Sequence, residues 1–520
     1  MILINTLSRR SFLARLSGTA GAALARLNAF TASGHTAVKE DFQARLAADH
    51  LRPQFHLLPA AYWMNDPNGP IYFRGQYHMF HQYNPNAAVW GDMHWAHATS
   101  PDLVHWRHEP IALAPTPGGY DRNGVFSGSA VLDRGIPTVI YTGILPPTDE
   151  AEATLRDGAH VWREVQCLAV AHDADLRTWQ KFDQPIIPFP PEGLEVTGFR
   201  DPCLWREGEA WMLILGSGLR GKGPAILLYR STDLHQWTYL HTLIERPGSG
   251  KKAANPVDTG DMWECPDFFP LGGKHVLLVS TMGKVHWKAG KYNGQRFAPE
   301  TEGVVDGGAY YAAKSMIDHH GNRILWGWIP ETRPEAQHRA AGWAGVMALP
   351  RVLSLNKKNE LEMDVHPAVE VLRRTHVHLD KGMGEHSRKQ ALAAMQIKNL
   401  AAELSAEVFV RDGEAGTLTL RTDQGDAVVT VRCTLQGGRG ELQVNGLAAP
   451  LAVAEERPIR LRLFLDGSVL EVFSNRTTVM TVRIYNLPSG PLYVNFEDAS
   501  ALLSMDLWQI QPISNDRLTS

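Results

Sequence analysis

The chain has 520 residues but only four cysteines, Cys167, Cys203, Cys265 and Cys433, none in a C-x-x-C spacing. That excludes the usual zinc and thioredoxin-type arrangements and leaves the cysteines as reduced, structural residues. Beyond the N-terminus no eighteen-residue apolar run exists, which argues against a membrane-spanning helix. A large excess of one sign is also lacking: 51 Lys and Arg against 55 Asp and Glu leave a net charge of -4, so neither nucleic acid nor an anionic membrane is the expected partner. The close histidine pairs His78/His81 and His94/His97 stand three residues apart, and on a strand such side chains point to opposite faces, so neither pair can jointly hold a metal. Long amphipathic helical periodicity is missing as well.

What remains is a soluble globular composition, 44% hydrophobic and 20% charged, with fifteen tryptophans and thirteen tyrosines. At the N-terminus, Ser8-Arg9-Arg10-Ser11-Phe12-Leu13 precedes a small-residue, mildly apolar stretch from Leu16 to Ala25. The pattern resembles a bacterial twin-arginine export signal. It predicts a leader over residues 1–37 and a periplasmic or secreted protein that folds before export, consistent with the lack of a disulfide pattern.

From Tyr72 to about Leu355 the chain reads as short β segments broken by Gly, Pro, Asn and Asp, which predicts a sandwich, barrel or propeller. A repeat decides among these. Ser100-Pro101-Asp102-Leu103-Val104-His105-Trp106 recurs as Asp173-Ala174-Asp175-Leu176-Arg177-Thr178-Trp179 and as Ser231-Thr232-Asp233-Leu234-His235-Gln236-Trp237, each after an apolar strand. A repeated strand-turn-Trp unit is propeller-like, and its spacing over about 290 residues gives four to five blades, five if degenerate copies are present. Beyond residue 376 strict alternation, as in Ile459-Arg460-Leu461-Arg462-Leu463, predicts an antiparallel β-sandwich. The expected organisation is all-β: a five-bladed β-propeller over 50–360, a linker over 361–376 with a short helix beginning at Pro367, and a C-terminal β-sandwich over 377–520.

Three acidic islands carry the chemistry: Trp63-Met64-Asn65-Asp66-Pro67-Asn68-Gly69, Phe199-Arg200-Asp201-Pro202 and Trp263-Glu264-Cys265-Pro266-Asp267. Taken singly each is an ordinary turn or a turn salt bridge. On a propeller, loops from several blades meet at the axis, so carboxylates far apart in sequence can share one pocket. Two carboxylates across a sugar make a glycosidase, and a third can hold the sugar. Donors in the Asn-Asp-Pro-Asn-Gly turn would keep Asp66 ionised, as suits a nucleophile. Glu264, beside Trp263, suits an acid/base whose pKa a dry site raises. Asp201, beside Arg200, would stay ionised and accept hydrogen bonds from sugar hydroxyls.

Together these islands resemble the three signatures of glycoside hydrolase family 32, the retaining β-fructofuranosidases that include invertases, inulinases and levanases. Gln82-Tyr83-Asn84-Pro85, Trp90-Gly91-Asp92, Phe126-Ser127-Gly128-Ser129, Gly327-Trp328, the segment Gly342-Trp343 to Pro350-Arg351 and the segment Phe464-Leu465-Asp466 to Glu471-Val472-Phe473 extend the likeness from about Gln54 onward. The resemblance implies Asp66 as nucleophile, Asp201 as transition-state stabiliser and Glu264 as acid/base. It implies Trp63, Asn65, Gln82, Trp90, Phe126, Ser127, Arg200 and Trp328 as substrate-binding, with Trp63 and Trp328 as apolar walls. It implies no metal and no organic cofactor, and a carbohydrate substrate: sucrose and short fructo-oligosaccharides, with fructan hydrolysis, fructosyl transfer or mere fructan binding as alternatives. The segment 287–297 has no acidic residue to hold a leaving glucose.

Overall fold

The structure is a computed structural model that describes residues 40–146, 154–156, 159–453, 457–497 and 501–520; the suspected export leader over 1–37 lies outside these. An N-terminal unit ends at Arg45, and its described residues, 40–45, are helical. The second unit, from Leu46 onward, contains everything that follows.

Five antiparallel sheets succeed one another in the first part of this unit. Their first strands are Tyr62–Phe73, Val125–Asp133, Val196–Glu207, Glu264–Leu271 and Tyr311–Ile317. Each of these strands touches the first strand of the next sheet, and the fifth touches the first again. The five therefore close a ring about a common axis, which is a propeller. Apolar clusters fill the spaces between sheets: Phe80 and Trp95 with Tyr141 and Val165, Ile140 and Leu168 with Phe199 and Leu213, and Ile214 and Leu228 with Phe268 and Leu277.

The repeated Asp-Leu-x-x-Trp is the turn between third and fourth strands. In the three copies Asp102, Asp173 and Asp233 accept hydrogen bonds from backbone amides two to four residues on. The leucines Leu103, Leu176 and Leu234 all take positive φ (70°, 57° and 65°), a conformation costing about 1–2 kcal/mol for such a residue. Each following tryptophan donates its indole N–H to that leucine's carbonyl, at 3.1, 3.0 and 2.9 Å, which locks the turn. In the fourth sheet Asn293 replaces the aspartate and accepts from Gln295 and Arg296, a degenerate copy.

The ring is tied shut by residues 343–347. Trp343–Ala344 runs parallel to Tyr62–Trp63 of the first sheet, and Val346–Met347 pairs with Trp328–Ile329 of the fifth. Gly345, between them, has φ +79°, and a Cβ there would sit 1.9 Å from the Met64 carbonyl oxygen. Gly345→Ala is expected to lose about 2–4 kcal/mol through left-handed strain and overpacking, read as a lower urea midpoint at unchanged m-value.

The C-terminal part is a sandwich of two six-stranded sheets. Ile459, Leu461, Leu463 and Leu465 enter its core, while Arg460 and Arg462 between them face away. The expected linker over 361–376 is too long. Leu361–Val365 pairs with Arg351–Leu355 as the last strand of the fifth propeller sheet, because Leu361, Met363 and Val365 alternate into its core. Arg373–Asp380 is already an edge strand of the sandwich. The chain passes from one domain to the other in the turn around a 3-10 helix, Pro367–Leu372, with His366 as its cap.

Candidate active site

Every first strand carries a two-against-one irregularity at the same level of the ring. Asn65-Asp66 bulge opposite Gln82, Phe126-Ser127 opposite Thr142, Asp201-Pro202 opposite Leu215, Cys265-Pro266 opposite Val279 and Ala312-Ala313 opposite Gly327. A bulge re-aims side chains and strengthens local twist, and proline, which has no amide to donate, is at home in one. Asp201, Cys265 and Ala312 hold left-handed φ of 64°, 47° and 53°. The prolines beside the acidic islands, Pro67, Pro202 and Pro266, thus mark three of the five places where the innermost strands turn their residues toward the axis.

The result is an axial cavity of about 300 Å³ lined by Asp66, Asp201 and Glu264 together with Asn65, Gln82, Trp90, Phe126, Ser127, Arg200 and Trp328. Ten of the eleven residues singled out in the sequence therefore share one wall. Trp63 does not line the cavity. It is 9% exposed, packs against Trp328 at 5.8 Å with the rings inclined at 60°, and donates its indole N–H to Asn65 Oδ1 at 2.8 Å, so it supports the wall rather than forming it. Trp162, Asn255 and Tyr311 complete the lining and were missed. Trp162 and Tyr311 sit on strands without an acidic island, and nothing in the sequence marks Asn255. A wider groove of about 960 Å³, lined by residues such as Lys357, Glu362 and Arg462, contains none of the acidic islands.

The three carboxylates are held differently. Asp66 accepts Ser127 Oγ at 2.6 Å and Asn65 Nδ2 at 3.0 Å. Asp201, 3% exposed, accepts the Cys265 amide at 2.9 Å. The Cys265 thiol lies between them, 3.4 Å from Asp66 Oδ2 and 3.5 Å from Asp201 Oδ2. Burial pushes that thiol far above its usual range, so it remains a weak donor to both. Glu264 receives Arg200 Nη2 at 2.5 Å on one oxygen and the Tyr311 hydroxyl at 2.8 Å on the other. Burial, then the Glu264 carboxylate, raises Tyr311 well above an ordinary tyrosine, which keeps it a donor.

Burial works against both expectations about charge. Burial raises Asp66 despite the donors on it, since Ser127 and Asn65 offset the desolvation only in part. Burial also raises Asp201, to about 7. Arg200 does lower it, yet the guanidinium is 3.9 Å away and committed elsewhere: to Glu264, and at 2.9 Å to the fully buried Glu164. Glu164, itself held by the Trp162 indole at 2.9 Å, is the group that sequence reasoning overlooked. Arg200 thus faces three carboxylates, Glu164, Glu264 and Asp201, and burial prevails at Asp201.

Residues 56–365 match the Glycosyl hydrolases family 32 N-terminal domain, and residues 373–509 match the Glycosyl hydrolases family 32 C-terminal domain. The chain belongs to glycoside hydrolase family 32. This family 32 chain is 35% identical over 494 residues to a sucrose-6-phosphate hydrolase of Escherichia coli, spanning 88% of the chain and 94% of the relative. It is 35% identical over 463 residues to a raffinose invertase of Escherichia coli, spanning 83% of the chain and 89% of the relative. Its fold superposes on a Bombyx mori GH32 beta-fructofuranosidase in complex with sucrose with a TM-score of 0.73 at 26% identity, over 91% of this chain and 98% of that one.

Proposed function

We propose that the chain is a retaining, exo-acting β-fructofuranosidase that hydrolyses terminal β-D-fructofuranosyl residues from sucrose and fructo-oligosaccharides. The observation that carries this reading is the convergence of Asp66, Asp201 and Glu264, from three sheets, on one axial cavity. At about 300 Å³ the cavity is at the small end of ligand sites, which suits one terminal sugar and not the middle of a polymer. The aromatic rim supports a carbohydrate: Trp90, 52% exposed, meets Phe126 edge-on at 5.9 Å, and Phe126 meets Trp162 at the same distance.

In this reading Asp66 attacks the anomeric carbon of the bound fructosyl unit, its attacking oxygen steadied by the Ser127 hydroxyl. Glu264 gives a proton to the departing oxygen and later takes one from water. Asp201 accepts hydrogen bonds from sugar hydroxyls and supports positive charge building on the ring. Arg200 and Tyr311 fix the orientation of Glu264 from two sides. The sucrose-6-phosphate hydrolase and raffinose invertase relatives support the substrate class.

The test is sugar release by purified protein from sucrose, inulin and levan, with the products separated and the first-formed fructose anomer followed by NMR. Rapid release from sucrose and short oligosaccharides with the β-anomer appearing first is the expected result. Predominant release from inulin or levan would make it a fructan exohydrolase, and oligosaccharide growth at high sucrose a fructosyltransferase. Fructan binding with no release would overturn the enzymatic reading.

We also infer export by the twin-arginine route from Arg9-Arg10 and the weakly apolar stretch after them. Residues 1–37 fused to a folded reporter are expected to carry it out of the cytoplasm, and replacement of both arginines by lysine to abolish transport. A reporter retained with the native arginines, or exported without them, would remove the inference.

A further inference from the structure

On the outer face of the sandwich, far along the chain from the acidic islands, two strands place three metal-ligating side chains together. The edge strand Arg373–Asp380 pairs with Leu502–Ile510 so that His376 lies opposite Trp508 and His378 opposite Asp506. Residues two apart on a strand share a face; this spacing separates His376/His378 from the histidine pairs set three apart. Asp506 Oδ1 is 2.8 Å from His376 Nε2 and 2.7 Å from His378 Nδ1, and all three ligand atoms lie within 4.8 Å of one another.

We propose that His376, His378 and Asp506 form a binding site for a divalent transition-metal cation of the zinc or copper type. Two imidazoles and one carboxylate are a familiar donor set for such ions. In a tetrahedral site with bonds of about 2.0–2.1 Å, ligand atoms stand roughly 3.3 Å apart, so the observed spacing needs only a small side-chain adjustment. The surroundings fit this role beyond the three ligands. His378 turns its other nitrogen, Nε2, to Asp380 Oδ2 at 3.1 Å, the carboxylate–histidine arrangement that orients metal-bound imidazoles. The His376 ring stacks on Trp508 at 4.7 Å and 4°, which fixes its plane. Both histidine side chains are 44% exposed and that of Asp506 26%, so an ion can enter and water can complete its shell. The cation would clamp the edge strand, which directly follows the domain joint, to its neighbour.

The experiment uses untagged, chelator-treated full-length protein, titrated with Zn²⁺ by calorimetry and with Cu²⁺ by EPR. One equivalent should bind with micromolar or tighter affinity, and the Cu²⁺ spectrum should show coupling to two imidazole nitrogens. His376→Ala and His378→Ala should each weaken that equivalent at least about tenfold, and Asp380→Asn by about tenfold through the outer hydrogen bond. Sucrose hydrolysis should be unchanged in these variants, and serves as the check on folding. The near-isosteric Asp506→Asn decides the matter if a histidine variant misfolds. Absence of saturable binding, or a first equivalent whose affinity and spectrum are unmoved by these substitutions, would show a hydrogen-bonded cluster only and overturn the proposal.

Discussion

Asp66→Asn and Glu264→Gln should each lower kcat for sucrose by at least about 10³-fold, while leaving the folded structure intact. Asp66 is the carboxylate that would form the covalent bond, and an amide in its place cannot attack; Glu264 would have to protonate a poor leaving group. Losses of two to four orders are usual for a general acid and larger ones for a nucleophile. The two are told apart by the leaving group. A fructosyl fluoride departs without a proton, so Glu264→Gln should regain much of its first step on it. In Asp66→Asn no covalent bond can form, so the better leaving group should restore little. A Glu264→Gln variant within tenfold of native activity at pH 5 would remove Glu264 from the acid's role.

The fold and much of the site were legible in the sequence for specific physical reasons. The Asp-Leu-x-x-Trp turn is readable because a left-handed leucine and an indole N–H returned to its carbonyl stand at fixed offsets, with a capping aspartate one residue before the leucine in two copies and three before it in the other. The acidic islands are readable because a bulge favours proline and its neighbours then appear as a motif. What the sequence hides is the partner across space. Arg200 sits next to Asp201 in the chain, which suggests that the two are paired, yet the bulge turns the guanidinium to Glu264 and Glu164, and Asp201 is left to burial. Trp63 belongs to the clearest island and still does not line the cavity, because it packs against Trp328 and gives its indole N–H to Asn65. The end of the propeller was misplaced for a different reason: Leu361-Glu362-Met363-Asp364-Val365 alternates well, but five residues after a polar Lys-Lys-Asn turn read equally well as the start of a linker.

The segments at residues 342–351 and 464–473 resemble family 32 without touching the cavity, and their work is at the domain joint. Arg351 donates to Asp306 at 2.9 Å and Glu471 at 2.6 Å, and His56 bridges Asp466 at 2.8 Å and Glu471 at 3.1 Å, all with no side-chain exposure. Asp466 also accepts the backbone amides of Gln54, Phe55 and His56, so a sandwich carboxylate fixes the start of the propeller chain. Glu471→Gln should cost about 3–5 kcal/mol, because it leaves the buried Arg351 and His56 each with one anion fewer; the Leu349 amide at 2.8 Å can still donate to the glutamine. The pH dependence supplies a second reading. Burial alone would lower His56, but Asp466 and Glu471 raise it to about 9, so its contribution is complete below about 6.5 and lost as pH rises through 9. Burial would raise Glu471, but Arg351 and then His56 hold it at about 2, so its contribution is complete above about 4.5 and lost as pH falls toward 2. Native stability should thus plateau between roughly pH 4.5 and 6.5 as far as this network governs it. In Glu471→Gln the acid loss should shrink, since the titrating group is gone, and the alkaline loss should move to lower pH, since His56 keeps only Asp466. Urea unfolding of both proteins from pH 3 to 9 measures this directly, and parallel curves offset by under 1 kcal/mol would show that the joint rests on its apolar contacts instead.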